Sequence, residues 1–168
     1  ERVRRSKRGV HMEKTKRVED SLTEQSHLLF PTHLNGAGRL FGGQLLMWID
    51  EVSGIVARRH SERNIITAAI DNLQFKEGAY SGDTVVLVGR VIHVGNSTME
   101  VRVDTYVEGL DGMRRPINRA YIVMVATDEE GRPVRVPRLR LDSPEQQAEW
   151  EGAEKRQALR KQRREEGF

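Results

Sequence analysis

The 168-residue sequence contains no cysteine, few aromatic residues and no long apolar run. The absence of cysteine excludes a disulfide framework, a thiolate nucleophile and a cysteine metal site. No stretch approaches the roughly 20 apolar residues that a membrane span requires, and the N-terminus lacks the apolar core of a signal peptide. These absences favour a cytoplasmic protein, and the length favours a single domain.

Basic residues are concentrated at the two chain ends, although the formal net charge is only +3. No aromatic side chains alternate with these charges to stack on bases, so we do not expect nucleic-acid binding. We predict a flexible basic segment at residues 1–22, a folded domain at 23–140 and a charged C-terminal helix or tail at 141–168. Ser143, Pro144 and Gln146 form an N-terminal capping signal for that last helix.

The most informative segment, Asn35–Gly54, starts as a glycine-rich loop and continues with a helical apolar period. One face of this helix is predicted to carry Leu45, Ile49, Val52 and Val56. Asp50 interrupts the apolar residues, and a carboxylate there is costly unless it is paired, hydrated at a cleft or used in chemistry.

Gly42 and Gly43 directly precede this helix, where the first backbone N–H groups have no intrahelical partner. Without a Cβ atom, a ligand oxygen can approach these donors, as an oxyanion hole requires. An equal alternative is that the glycines only let the helix enter a tight space and that Asp50 is a structural hydrogen bonder. Asp50 lies roughly 10 Å further along the axis, so a site that uses both groups favours a contribution from a second chain.

The rest of the central region predicts strands. Residues 26–30, 65–75, 84–94, 99–107 and 117–127 have strand character, and Gly95-Asn96 and Asp111-Gly112 are turn signals. Because no strand alternates with a further helix in this region, we predict an α+β fold with an antiparallel sheet.

Several motifs, in this order and spacing, resemble the hotdog-fold acyl-CoA thioesterases, and most closely the cytosolic acyl-CoA hydrolase group. The resemblance covers about residues 28–137. Its motifs are Asn35-Gly36-x-Gly38, Phe41-Gly42-Gly43, Trp48-Ile49-Asp50-Glu51, Ile66-Thr67-Ala68-Ala69-Ile70-Asp71 with Phe75, and Val94-Gly95-Asn96-Ser97-Thr98. It implies a sheet wrapped around one long central helix, and hydrolysis of fatty acyl-CoA to free fatty acid and CoA.

The resemblance also implies roles for site residues. Asp50 would activate water or attack directly, Asn35 of a neighbouring chain would hold the water or the thioester oxygen, and the Gly43 N–H would be the oxyanion donor. The predicted substrate-binding residues are Gly42, Gln44, Gly95, Asn96, Ser97 and Thr98. On the residues alone, a local role for Asn35 as the cap of its own turn stays open, as does an ordinary hairpin at Gly95–Thr98. Arg90, Arg138 and Arg140 are equivalent candidates for the CoA phosphates.

Two other functions stay open. His33 precedes the glycine loop, and hotdog dehydratases pair a histidine with an acid, so a dehydratase or hydratase is one alternative. A non-catalytic, acyl-CoA-binding regulatory domain is the other, although the N-terminal segment is too short for a DNA-binding domain with its own core. A serine hydrolase is disfavoured because no Gly-x-Ser-x-Gly motif is present. We expect no metal and no cofactor beyond the CoA of the substrate. We also expect a homo-oligomer, either a dimer or a higher assembly of dimers, namely a tetramer or a hexamer.

Overall fold

The computed structural model describes residues 13–168, which contain two α-helices and seven β-strands. The strands are β1 (Thr15–Arg17), β2 (Thr23–Leu28), β3 (Asn64–Phe75), β4 (Thr84–Val94), β5 (Thr98–Glu108), β6 (Arg114–Thr127) and β7 (Arg138–Arg140). The helices are α1 (Gly42–Ser61) and α2 (Pro144–Glu166). Within the described residues, neither helix is long and apolar enough to cross a membrane.

Five strands form one antiparallel sheet in the order β2-β4-β5-β6-β3, and α1 packs against its inner face. The chain therefore has the hotdog fold, as predicted, with a curled sheet around one long helix. Both β2 and β3 lie at sheet edges within the described part of the single chain. The edge strand β3 follows α1 directly, so it borders the helix face that carries Asp50.

The predicted apolar face of α1 is confirmed. Leu45, Ile49, Val52 and Val56 are each at most 1% exposed. The helix lies so close to the sheet that a Cβ atom at Gly89 would be 2.6 Å from the Val52 side chain. A glycine on β4 is thus required for this depth of packing, which fixes how the helix N-terminus meets the sheet.

The first described residues correct one prediction. We expected residues 1–22 to be flexible; residues 1–12 lie outside the described part, but β1 pairs in parallel with β7. The Arg138 N–H donates to the Lys14 carbonyl at 2.8 Å, and Val18 is buried. The strand was missed because its partner is more than a hundred residues away and its three residues have no apolar period.

The predicted C-terminal helix is present as α2 and packs on the outer face of the sheet, against β4. Ser143 caps it, with its hydroxyl accepting a hydrogen bond from the Gln146 N–H at 3.2 Å. The Gln146 side chain accepts from the Asp142 N–H at 2.7 Å, one residue before the position that a capping box uses.

Candidate active site

The N-terminus of α1 offers two free backbone donors. The helix begins at Gly42 after Phe41, and no side chain among residues 13–168 caps it. The Phe41 carbonyl accepts from the N–H groups of Gln44 at 3.0 Å and Leu45 at 3.1 Å, so the N–H groups of Gly42 and Gly43 precede the first helical hydrogen bond. The Gln44 N–H is already used, and only the half-buried side chain of Gln44 stays available for the substrate role predicted for it.

Two aromatic rings pack on the glycine pair. A Cβ atom at Gly43 would lie 2.5 Å from the Phe41 ring, and one at Gly42 would lie 3.3 Å from the Phe75 ring. Both rings are about half exposed. The glycines therefore provide the space that these rings occupy beside the free donors, which explains why small residues are needed at this helix start.

The side chain of Asn35 has one end fixed by its own loop. Its Oδ1 atom accepts from the N–H groups of Ala37 at 2.9 Å and Arg39 at 3.2 Å. Asn35 therefore does cap its turn, the simpler of the two alternatives from the sequence. Two N–H donors hold the oxygen, and the Nδ2 group has no hydrogen-bond partner among residues 13–168, so it can donate to a ligand. The two roles are thus compatible.

Asp50 is exposed in the single chain rather than shielded. Its Oδ1 atom accepts a hydrogen bond from the Thr67 hydroxyl on β3, at 2.7 Å. Met47, one turn earlier on α1, is 50% exposed. The carboxylate is therefore oriented by the edge strand, and only a molecule that covers this edge can remove it from water.

Thr67 is the site residue that sequence reasoning missed. It lies in the Ile66-Thr67-Ala68 stretch that contributed to the resemblance, but β-branched residues are ordinary in strands. The useful signal was a hydroxyl among apolar residues on the strand that follows the helix. Its pairing with Asp50 joins positions seventeen residues apart and depends on how α1 crosses β3.

The structure does not bring Asn35 and Asp50 together within one chain. Asn35 is held in the loop ahead of Gly42, whereas Asp50 lies about two turns into α1, roughly 10 Å along its axis. No hydrogen bond joins them among residues 13–168. Within one chain, the two catalytic candidates are therefore separate.

The Gly95–Thr98 hairpin lies near the opposite end of α1. Its backbone is held internally: the Gly95 N–H donates to the Thr98 carbonyl at 2.9 Å, and Arg138 donates to the Gly95 carbonyl at 2.6 Å. At the same end, His60 in the last turn of α1 is hydrogen-bonded to the Pro137 carbonyl at 2.9 Å. These predicted substrate-binding residues are thus remote from Gly42 in the same chain, about 27 Å along the helix.

The arginines considered for the CoA phosphates are engaged with protein groups. Arg90 pairs with Asp104 at 3.2 Å, and Arg140 pairs with Asp142 at 2.7 Å. Arg138 holds the hairpin. Arg135, which was not considered from the sequence, is also engaged: it pairs with Glu13 and donates to the Asn96 Oδ1 atom at 3.4 Å, although its side chain is 61% exposed.

His33 is used locally. Its Nδ1 atom accepts from the Phe30 N–H at 3.1 Å, and its ring lies edge-on to Trp48 at 5.1 Å. The ring of His27 also contacts Trp48, stacked with a centroid distance of 4.1 Å. Burial lowers the pKa of His27, so this histidine is neutral near pH 7. Among residues 13–168, no group of three His, Asp or Glu side chains could hold a metal ion.

The chain is similar in sequence to known thioesterases. The model of the thioesterase superfamily matches residues 37–112. An uncharacterized acyl-CoA thioester hydrolase of Bacillus subtilis is 35% identical over 133 residues, covering 79% of this chain and 77% of that protein. The cytosolic acyl coenzyme A thioester hydrolase of Rattus norvegicus is 31% identical over 129 residues; the match covers 74% of this chain but only 34% of the rat protein.

Solved structures show the same fold. A hexameric acyl-CoA thioesterase, solved in its apo form, is 36% identical with a TM-score of 0.85, and the match covers 89% of this chain and 97% of that one. An acyl-CoA hydrolase of Staphylococcus aureus, solved with butyryl coenzyme A and coenzyme A, is 29% identical with a TM-score of 0.86, covering 91% and 94%. Structures of that hydrolase also exist with one aspartate, one asparagine or one threonine replaced by alanine.

Proposed function

The chain belongs to the thioesterase superfamily and, within it, to the acyl-CoA thioester hydrolases, and from this premise we propose how it hydrolyses acyl-CoA to a fatty acid and CoA. The observation that carries the proposal is the pair of free N–H groups at Gly42 and Gly43, combined with the oriented carboxylate of Asp50. A thioester carbonyl at the helix N-terminus develops negative charge during attack, and these donors stabilise that charge.

In this mechanism, Asp50 removes a proton from a water molecule, whose oxygen attacks the thioester carbon. The tetrahedral oxyanion is held by the Gly43 N–H, with Gly42 beside it. The carbon–sulfur bond then breaks, and the proton returns from Asp50 to the CoA sulfur. The Asn35 amide, which can donate because its oxygen is held by the loop, positions the water or the thioester oxygen, and Thr67 orients Asp50.

The spacing of these residues supports the assignment. In the Staphylococcus aureus hydrolase, the replaced aspartate follows the replaced asparagine by fifteen positions, and the replaced threonine follows the aspartate by seventeen. Asn35, Asp50 and Thr67 are separated by the same intervals. We infer that the three residues form one functional set in this chain as well.

We propose that the set is completed by two chains, because one rigid helix cannot bring its own N-terminus and its own Asp50 to one carbonyl. Two antiparallel α1 helices related by a twofold axis place Asp50 of each near the glycine loop of the other, twice per dimer. The same pairing moves the Gly95–Thr98 hairpin of one chain toward the helix N-terminus of the other, where it can contact the nucleotide of CoA.

The edge strand β3 provides the surface for this dimer. Among the described residues it has no neighbour on its outer side, and Ile66, Ile70 and Met47 beside it are between 37% and 55% exposed. An unpaired strand edge flanked by apolar side chains is a template for a second copy. The hexameric relative supports further assembly of such dimers.

The reaction requires no cofactor besides the CoA in the substrate, so protein treated with EDTA should hydrolyse acyl-CoA as well as untreated protein does. We propose a cytoplasmic location, which the cytosolic rat relative supports. A dehydratase is not favoured, since the Nδ1 atom of His33 is used within its own loop.

Complementation tests the shared site. Asn35→Ala and Asp50→Ala proteins should each lose at least about 10²-fold in kcat, the usual range for a general base. After the two are mixed and reassembled, half of the sites in each heterodimer carry both native residues, so activity should recover substantially. Activity would be followed as free thiol released from butyryl-CoA.

Subunit exchange is verified by mass spectrometry on the same samples, so that a failure of activity to recover cannot be due to missing heterodimers. If heterodimers form and activity does not return, the site is not shared between chains. If the unmodified protein releases no thiol from short, medium or long acyl-CoA, the enzyme assignment fails, and the regulatory acyl-CoA-binding alternative is favoured.

A further inference from the structure

A cavity of about 320 Å³ opens beside the N-terminus of α1. Asn35 and Gly42 are among its lining residues, so it adjoins the position proposed for the thioester carbonyl. Its apolar walls are formed by four residues, three of them at most 2% exposed: Leu40, Leu45, Ala79 and Ile117. The cavity, which is partly open to solvent, therefore joins the candidate site to residues of the hydrophobic core.

Phe75 is the aromatic residue of the lining. Its ring is the nearest group to Gly42, at 3.3 Å from where a Cβ atom would lie, and it is 53% exposed. It is the last residue of β3, the strand that also carries Thr67. Arg39, Lys76 and Glu77, which also line the cavity, are exposed. The buried part of the lining is thus apolar, and its charged residues are exposed.

We propose that this cavity receives the acyl chain, and that Phe75 and Ala79 determine which chain lengths fit; the inference rests on the proposed hydrolase function. The pantetheine arm carries amide and hydroxyl groups that would lose water against these apolar walls without gaining partners. The neighbouring backbone offers few, since the Ala79 carbonyl already accepts from the Leu40 N–H at 2.7 Å. An acyl chain has no polar groups and gains from the same burial.

The size of the cavity bears on the substrate class. Its volume is about 320 Å³, and it is partly open to solvent. We therefore expect short and medium acyl-CoAs to be favoured, because a longer chain would extend beyond the apolar walls into water. Each methylene that fits should raise kcat/KM by about fourfold, the equivalent of about 0.8 kcal/mol, and chains longer than the cavity should gain nothing further.

The test is a chain-length profile of kcat/KM from acetyl-CoA to palmitoyl-CoA. Ala79→Leu extends a side chain into the cavity and should shorten the optimum by about two or three carbons, while acetyl-CoA is still hydrolysed. Phe75→Ala removes an aromatic ring from the cavity lining, and the acyl-CoA with the highest kcat/KM should then have a longer chain. Phe30→Ala is the matched control, since Phe30 is 54% exposed and does not line the cavity.

Failure of the acyl-cavity proposal can be distinguished from failure of the hydrolase proposal. If the unmodified protein is active and both cavity variants keep its chain-length profile, the acyl chain binds elsewhere. Because Phe75 is half exposed, its variant keeps the proposal testable even if Ala79→Leu does not fold. If no acyl-CoA is hydrolysed, calorimetric binding of CoA, butyryl-CoA and octanoyl-CoA is measured instead. Equal affinities in the unmodified protein, or the same chain-length preference in Ala79→Leu, would then exclude the cavity.

Discussion

At the scale of single residues, Asp50 and Asn35 show how local hydrogen bonds prepare a group for a partner. The Thr67 hydroxyl gives its only proton to Asp50 at 2.7 Å, and the turn holds the Asn35 oxygen. In each side chain, one polar atom is held by a hydrogen bond and the other is available to a ligand. In the proposed dimer these free ends meet at the thioester, so little side-chain entropy is lost at the moment of reaction.

The hydroxyl of Thr67 can be tested alone. Thr67→Val keeps the shape of the side chain and removes the donor, and we expect kcat to fall by about 10- to 100-fold, since a hydrogen bond to a charged group contributes about 1.5–3 kcal/mol. KM should change little, because the bond orients Asp50 rather than the substrate. Steady-state kinetics on butyryl-CoA provide the measurement.

Thr84→Val on β4 is the control, a half-buried threonine on another strand of the same sheet that has no hydrogen bond to Asp50 among the described residues. Its kcat should equal that of the unmodified protein. A Thr67→Val enzyme with unchanged kcat would show that Asp50 needs no orientation from β3, and that the hydrogen bond is only structural.

At the scale of elements, α2 is attached to the sheet mainly by arginines. Arg156, Arg160 and Arg163 follow a helical period and lie on one face. Arg156 and Arg160 pair with Glu100 on β5 at 2.5 and 3.0 Å, and Arg160 and Arg163 pair with Asp71 on β3 at 2.6 and 3.2 Å. The apolar surface that α2 buries is small, with Ala153 as its buried residue. The ion pairs therefore determine the position of α2 on the sheet.

Glu100 is the centre of this attachment and is only 3% exposed. Glu100→Gln leaves Arg156 and Arg160 beside a neutral group, and we expect the free energy of unfolding to fall by about 2–4 kcal/mol, as when a buried pair loses one member. Urea unfolding followed by circular dichroism measures the change.

The control is Glu165→Gln, which removes one partner of the exposed Lys161–Glu165 pair at 3.9 Å. An exposed pair contributes at most about 1 kcal/mol, so this variant should unfold close to the unmodified protein. Equal effects of the two substitutions would mean that α2 is held by something other than the buried carboxylate.

At the scale of the whole molecule, three histidines join separate parts of the fold. His27 stacks on Trp48 of α1, His60 is hydrogen-bonded to the Pro137 carbonyl, and His93 lies 4.0 Å from the Trp150 ring of α2. Burial lowers the pKa of all three below the ordinary value of 6.5. The folded protein therefore resists their protonation.

This arrangement predicts a loss of stability in mild acid. Below about pH 6.5 the unfolded chain binds protons at these histidines that the folded chain does not, so the free energy of unfolding falls as the pH falls toward the lowered pKa values. Each such histidine contributes up to about 1.4 kcal/mol per pH unit. Above pH 6.5 the histidines are neutral in both states and their contribution is constant.

Urea unfolding at about pH 7.5, 6.5 and 5.5 tests this sign. His60→Gln keeps an N–H donor for the Pro137 carbonyl but cannot titrate, so its unfolding free energy should depend less steeply on pH. A stability that is constant or rises as the pH falls across this range would show that the three histidines are as accessible to protons in the folded protein as in the unfolded chain.

The sequence by itself determined the features that depend on neighbouring residues. The 3.6-residue period of Leu45, Ile49, Val52 and Val56 predicted the buried face of α1, and strand and turn signals predicted the sheet. The glycine pair marked a helix start with free donors, because the first turn of any helix lacks partners for its N–H groups. These predictions hold since each concerns residues within a few positions of one another.

The tertiary structure alone decided what depends on distant residues. The pairing of β1 with β7, the bond from Thr67 to Asp50 and the position of α2 all join segments whose partners no local period specifies. The sequence left open whether Asp50 is paired, hydrated or used in chemistry; in the single chain it is exposed and accepts a hydrogen bond from Thr67 on the edge strand. Burial depends on how helices and strands pack against one another. The sequence period shows which residues share a face of a helix or strand, but not which element covers that face.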